Sequence, residues 1–179
     1  SQGVLELLGP KGKLIGLDQD LDAVKYAKSN FQDQRLSMRH TRFDQLKIVL
    51  EEMGLYGQID GILMDLGVSS PQLDNAERGF SFNKDGALDM RMNPTEGESA
   101  SEWLNKASEK EIADVIYKYG EERASRKISK AIIKIRKKTP IHRTKQLAEI
   151  ICKAIPSNKK DIHPATKTFQ AFRIYINHE

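Results

Sequence analysis

Short apolar runs alternate with amphipathic stretches over the first third of the chain. Residues 2 to 8 have the character of a helix end, and Gly9-Pro10-Lys11-Gly12 breaks it before Leu14-Ile15-Gly16-Leu17, an apolar run of strand length closed by Asp18. Asp20 is placed to cap a helix through Asn30, with Val24, Ala27 and Phe31 on one side. Leu36 to Arg39 reads as a weak strand, and Phe43 to Met53 as a helix that stops at Gly54. Ile59 to Met64 predicts a third strand, ending in Asp65-Leu66-Gly67. Strand and helix in alternation predict an α/β class, with a parallel sheet and helices on its faces.

Beyond Pro71 the texture changes. Residues 74 to 98 are rich in Gly, Asp, Arg and Asn without a sustained period, which predicts a long ordered loop anchored by Phe80, Phe82, Leu88, Met90 and Met92. Helical signals follow. Ser99 with Glu102 and Ser108 with Glu111 have capping-box spacing, and Gly120 suits the residue just past a helix over Ile112 to Tyr119. A helix is expected over Glu122 to Lys138, ending before Pro140, and another from a Thr144 cap to Ile155, ended by Pro156. Pro164 opens a last segment with Phe169, Phe172, Arg173 and Ile176 at helical spacing.

On the Glu122 to Lys138 helix, a rotation of about 100° per residue gathers Ala124, Ile128, Ala131, Ile132 and Ile135 on one side. Arg123, Arg126, Lys130, Lys134 and Lys137 gather within roughly 80° on another. Charge sharpens this picture. The net charge is only +4, but residues 123 to 160 hold 13 Lys or Arg against Glu149 alone, a local +12 that leaves the rest of the chain at −8. A solvated helix surface and a polyanion-facing surface both fit such a block. No window approaches the ~18 uninterrupted apolar residues of a spanning helix, which argues against a membrane protein. The single Cys152 cannot form an internal disulfide and fits a reducing compartment. Its apolar neighbours Ile150, Ile151 and Ala154 favour a small buried filler over a nucleophile.

Two acids stand where an open α/β sheet binds ligands. Asp18, at the carboxyl end of a strand, is placed to accept hydrogen bonds from ribose hydroxyls, of an NAD or an S-adenosylmethionine alike; a plain turn residue is the competing reading. Asp65, at the end of the third expected strand, faces the same alternatives: a site acid, or a turn carboxylate capping the N–H of Gly67 or Val68. The histidines His40, His142, His163 and His178 share no metal-ligand spacing, so a metal is not expected. A doubly wound nucleotide fold opens with a strand and a glycine-rich turn; here Gly9-Pro10-Lys11-Gly12 instead precedes a strand. The expectation is therefore an internal fragment of a longer protein.

The run Met64-Asp65-Leu66-Gly67-Val68-Ser69-Ser70-Pro71-Gln72-Leu73-Asp74 continues to Arg78-Gly79-Phe80-Ser81-Phe82 and Asp85-Gly86-Ala87-Leu88-Asp89-Met90-Arg91-Met92. With Tyr119-Gly120-Glu121-Glu122, Arg143-Thr144, Leu147 and His163-Pro164-Ala165-Thr166 through Arg173-Ile174, it closely resembles the RsmH (formerly MraW) family of small-subunit ribosomal RNA cytosine-N4 methyltransferases. The resemblance covers essentially the whole chain. It implies a Rossmann-like S-adenosylmethionine-dependent methyltransferase domain interrupted by a mostly helical, RNA-recognising domain. Residues 1–75 would be the first part of the methyltransferase domain, 76–162 the insert and 163–179 the return. Asp18, Phe43, Asp65 and Gln72 match donor-binding positions of the family. Ser1 matches the residue closing the glycine-rich loop, the rest of which would lie upstream, so this chain alone is expected to be inactive. Ala87 departs from the family, which usually has Pro there.

The implied chemistry is direct in-line methyl transfer to the exocyclic N4 of cytosine, without a covalent enzyme adduct and without a metal. Asp65 is the best candidate to accept an N–H of that nitrogen. Arg126, Lys130, Lys134 and Lys137 would contact RNA phosphates. The implied partner is small-subunit ribosomal RNA or the assembled small subunit, in a bacterial cytoplasm or a eukaryotic organelle; a homodimer stays open. Two other classes compete. A non-catalytic RNA-binding module explains the basic block alone, and an NAD-dependent Rossmann oxidoreductase explains Asp18 alone.

Overall fold

The computed structural model describes residues 2–155 and 162–179, which leaves Ser1, Pro156, Lys159 and Lys160 outside the described residues. The fold is mixed α/β, with a small parallel sheet and many helices. The chain divides into two compact units, Ser1–Met64 and Asp65–Glu179.

The first unit is a strand–helix–strand crossover. Helix α1 (Gln2–Leu7) leads to β1 (Leu14–Asp18), α2 (Leu21–Asn30) and β2 (Leu36–His40), followed by a 3₁₀ turn (Phe43–Gln45) and α3 (Leu46–Glu52). The strands pair in parallel from Leu14 opposite Leu36 to Asp18 opposite His40, the geometry a helical crossover permits. Asp20 caps α2 as its position predicts, accepting the Asp22 N–H at 3.0 Å, and Val24 and Ala27 bury the expected face. Arg35 ties α1 to the start of β2, donating to the Leu8 carbonyl at 2.8 Å while pairing with Asp33, whose carboxyl it holds down at about 2.

The third expected strand does not form. Residues 59–64 take no regular structure, and Ile59, Ile62, Leu63 and Met64 are exposed. Apolar content makes a strand possible, but a ladder neighbour makes it a strand, and among the described residues β1 and β2 pair only with each other.

In the second unit, α4 (Ser70–Asp74) and a 3₁₀ turn (Ala76–Arg78) enter the loop, after which come α5 (Ala100–Lys106), α6 (Glu109–Gly120), α7 (Ser125–Arg136), α8 (Thr144–Ala154) and α9 (Ala165–Asn177). Both capping boxes form: Ser99 and Ser108 accept the N–H of Glu102 and Glu111, whose carboxylates accept the cap N–H in return at 2.7 Å. Helix α6 packs against α7 and α9 around Ile112, Ile116, Ile128, Ile132, Leu147, Phe169 and Phe172. The loop anchors behave as expected, with Phe80, Leu88, Met90 and Met92 buried in that core and Phe82 partly buried against it.

Three local expectations are corrected. Gly120 is the last residue of α6, and Glu121 takes the left-handed position beyond it at φ 50°. The glycine is required by a close approach: a Cβ there would stand 2.4 Å from the Lys167 carbonyl oxygen of α9. Thr144 does not cap α8 but is its first residue; its buried hydroxyl accepts the Gly86 N–H and donates to the Lys84 carbonyl, both at 3.1 Å. Cys152 is half-buried rather than buried, with Sγ 3.7 Å from His163 Nε2.

The second unit begins at Asp65, ahead of α4. Val68 packs on the helical core, and Gly86 lies against the Ala76 backbone so closely that a Cβ would stand 1.8 Å from the Ala76 oxygen. Residues 65–75 therefore group with the helices, as does α9 through Phe169 and Phe172.

Candidate functional site

Asp18 ends β1 half-buried, and its backbone oxygen accepts the Thr41 N–H at 2.9 Å, which ties the residue after β2 to this strand end. Its Oδ1 accepts the Asp20 N–H at 2.8 Å. Burial nonetheless pushes the Asp18 carboxyl above the usual carboxylate range; the Asp20 N–H opposes the rise, the Asp20 carboxylate adds to it, and His40 opposes it. His40 sits opposite in the sheet, with Nε2 3.0 Å from the Gln19 carbonyl oxygen. A partly desolvated carboxylate at a strand end fits a ligand that brings hydroxyl donors, because such donors stabilise the charged form that burial disfavours.

A carboxyl raised on folding contributes its full stability below the unfolded value of 3.8 and loses it as pH rises through the folded value. At neutral pH the ionised Asp18 is thus a burden on the fold. Asp18→Asn, which keeps the acceptor for Asp20, is expected to melt at an equal or higher temperature than the parent at pH 7, with the difference closing toward pH 4. If Asp18 accepts a ligand's ribose hydroxyls as its strand-end position predicts, Asp18→Ala should weaken binding of that ligand by roughly 1.5–3 kcal/mol, the range for hydrogen bonds to a charged group. Calorimetry and thermal melts together check both, and unchanged ligand affinity would make Asp18 a turn residue.

Phe43 opens the 3₁₀ turn after β2 and is half-buried in the same unit. Asp65 and Gln72 belong to the second unit. Asp65 is exposed, and its carboxylate caps neither Gly67 nor Val68, so the turn reading finds no support. Gln72 is buried at the third position of α4, where its Oε1 accepts the Ser69 N–H at 2.9 Å in a capping box. Its local role is thereby to fix the start of α4, four residues after Leu66.

The motif run from Arg78 to Met92 is held by long-range hydrogen bonds. Ala87 bridges antiparallel to Arg143, with Leu88 N–H donating to the His142 carbonyl at 2.9 Å and Thr144 N–H to the Gly86 carbonyl at 3.0 Å. The Ala87 N–H is left out of this bridge, which explains how a proline can occupy the position. Arg143 Nε meets Asp85 Oδ2 at 2.6 Å. Asn177, which sequence reasoning missed, accepts the Met92 N–H and donates to the Met90 carbonyl, both at 2.7 Å, holding Met90 in the left-handed region at φ 64°. A lone amide at the end of an amphipathic helix carries no sequence signal for this role. Phe82 stacks on the His163 ring with centroids 4.4 Å apart and meets Phe169 edge-on, so it closes the core rim.

Helix α7 is shorter than the expected Glu122–Lys138; on it Ile128 and Ile132 are fully buried and Ala131 half-buried but Ile135 is exposed, while Arg126, Lys130 and Lys134 on the helix, Arg123 in the turn before it and Lys137 at its C-cap are all exposed. The stripe read from the periodicity faces solvent. Among the described residues none of the five forms an ion pair. No three of the described His, Cys, Asp or Glu converge as a metal-sized group, and no described helix is long and apolar enough to cross a membrane.

Residues 1–179, the whole chain with its strand-end acid, pinned loop and basic helix, match the MraW methylase family. The chain belongs to that family. It is 54% identical to the ribosomal RNA small subunit methyltransferase H of Ruthia magnifica subsp. Calyptogena magnifica, covering all of this chain and 58% of the relative. It is 52% identical to the protein of the same name from Idiomarina loihiensis, covering all of this chain and 57% of the relative. The one from Coxiella burnetii is 49% identical, with all of this chain and 59% of the relative covered. The MraW family chain thus spans a little over half the length of these curated relatives. The motif that announced the family is, in large part, the loop that Thr144, Asn177 and Arg143 fasten to the helices.

Proposed function

We propose that the full-length protein transfers a methyl group from S-adenosylmethionine to the exocyclic N4 of a cytosine in small-subunit ribosomal RNA. The observation that carries this reading is the likeness, at about half identity over every residue of the chain, to proteins named ribosomal RNA small subunit methyltransferase H. On this reading the β1–α2–β2 crossover is part of a Rossmann-like sheet, and the helices between residues 76 and 162 are an insert that recognises RNA in the cytoplasm.

Asp18 accepts the ribose hydroxyls of the methyl donor, and Phe43, Asp65 and Gln72 make further donor contacts. The bound donor supplies a methyl carbon made electrophilic by its sulfonium. The cytosine N4 lone pair is delocalised into the ring, so an acceptor must hold its N–H and take up the proton released as the N–C bond forms. Asp65 is the exposed carboxylate suited to that, being acceptor-only when ionised. The target base is splayed out to reach the pocket, at a few kcal/mol of unstacking offset in part by phosphate contacts from α7.

The full-length protein with methyl-labelled donor and small ribosomal subunits is expected to label the small-subunit RNA. Mass analysis of its nucleosides should then show N4-methylcytidine. Label at carbon 5 of cytosine, or in no nucleoside, would overturn the reading.

A further inference from the structure

The exposed face of α7 is dominated by cations, with no amide or aromatic side chain among them. Arg126, Lys130, Lys134 and Lys137 follow one another along the helix at rises of about 6, 6 and 4.5 Å. Such steps are comparable to the separation of successive phosphates along one nucleic-acid strand. Lys127 and Lys138 flank the row, also exposed, and no acid occurs between Arg123 and Lys138. The nearest acid, Glu122, spends its carboxylate on the Ala124 N–H at 2.7 Å.

Sequence readout needs Asn or Gln amides, bidentate arginines aimed at base edges, or aromatic platforms. The exposed positions of α7 have no aromatic, Asn or Gln, and all five residues of the row and its flanks other than Arg126 are lysines, point charges on flexible stems. Arg126 is the row's single guanidinium. Behind the row, Ile128 and Ile132 lock the helix into the core, which keeps the charges in line.

We infer that α7 is a phosphate rail: Arg126, Lys130, Lys134 and Lys137 seat successive phosphates of one RNA strand without regard to sequence. The inference rests on the RNA reading above and deepens it, because it assigns positioning to α7 and leaves the choice of target base to other residues. Phosphate contacts fix register and orientation; base contacts carry the sequence information.

The test compares two variants of the full-length protein with equal loss of charge. One changes Arg126, Lys130, Lys134 and Lys137 to Gln; the other changes Lys11, Lys13, Lys25 and Lys28, exposed cations of the first unit. Binding of short single-stranded RNAs of unrelated sequence is followed by fluorescence anisotropy across a salt series. The α7 variant should lose affinity roughly tenfold or more at low salt on every sequence alike, and its salt slope should become shallower by up to about 3, near 0.7 per lost contact. The control variant should keep nearly the parental slope. A methylphosphonate-substituted strand, neutral along its backbone, should bind the unaltered protein as weakly as the α7 variant binds ordinary RNA, a measurement that does not depend on any variant folding.

Equal effects of the two variants, or tight binding of the neutral strand, would overturn the rail and leave the methyltransferase reading intact. A loss confined to one sequence would overturn it in favour of base readout by α7. No RNA binding by the unaltered protein would remove the RNA reading itself, and the rail with it.

Discussion

Asp65→Asn in the full-length protein is expected to slow single-turnover methyl transfer about a hundredfold or more, with RNA affinity nearly unchanged, the scale of losing one well-placed acid–base or electrostatic contact. The substitution keeps the side chain's shape but replaces an acceptor-only carboxylate with an amide that also donates. Its interpretation is clean because Asp65 is exposed and hydrogen-bonds no described residue, so the fold loses nothing and the melting temperature should not move. The rate is measured at rising S-adenosylmethionine concentration. Recovery of the full rate at saturating donor would reduce Asp65 to a donor anchor. A rate that stays low would place its carboxylate at the reacting nitrogen.

The largest stability effect is expected at Asn177. Its amide answers both a donor and an acceptor of the loop, the Met92 N–H and the Met90 carbonyl, in a site where Asn177 is 6% exposed and Met90 is wholly buried. Asn177→Leu removes both bonds from the interior, at about 1–3 kcal/mol each, so a loss of roughly 2–6 kcal/mol is expected. Met90, held at φ 64°, should relax out of the left-handed region once released. Asn177→Asp separates the two bonds. An ionised carboxylate accepts from Met92 but faces the Met90 oxygen without a proton to give, whereas the protonated acid can serve both. The Asp variant's carboxyl is therefore raised on folding, and its deficit relative to the parent should shrink as pH falls toward the carboxylate range. Denaturant unfolding at pH 5 and pH 8 measures this, and a pH-independent deficit would show that the Met90 bond contributes little.

These two residues differ in how they could be found. Asp65 lies within a motif long enough to identify a family, although the strand expected to present it does not form in this chain. Asn177 reaches the loop from 85 and 87 residues away in sequence, and Thr144 reaches it from 58 and 60. Nothing local marks either. Gln72 shows the converse: a position singled out by resemblance turns out also to have a local duty, capping α4 from within.

Elements whose cause is local are legible along the chain. Capping boxes at Ser99 and Ser108, the Asp20 cap, and the buried and basic faces of α7 all follow from hydrogen bonds within a few residues or from a repeat of 3.6. The sequence also carried the family, through a motif run longer than chance provides. Tertiary structure decided whatever depends on a distant partner. Residues 59–64 have the composition of a strand, yet no described segment offers them a ladder. Gly120 is a glycine because the α9 backbone approaches it, not because the chain turns there. The reason is the same in each case: propensity and periodicity are properties of a segment, whereas pairing, close approach and the satisfaction of buried polar groups belong to two segments at once, and only the folded chain brings the second one into place.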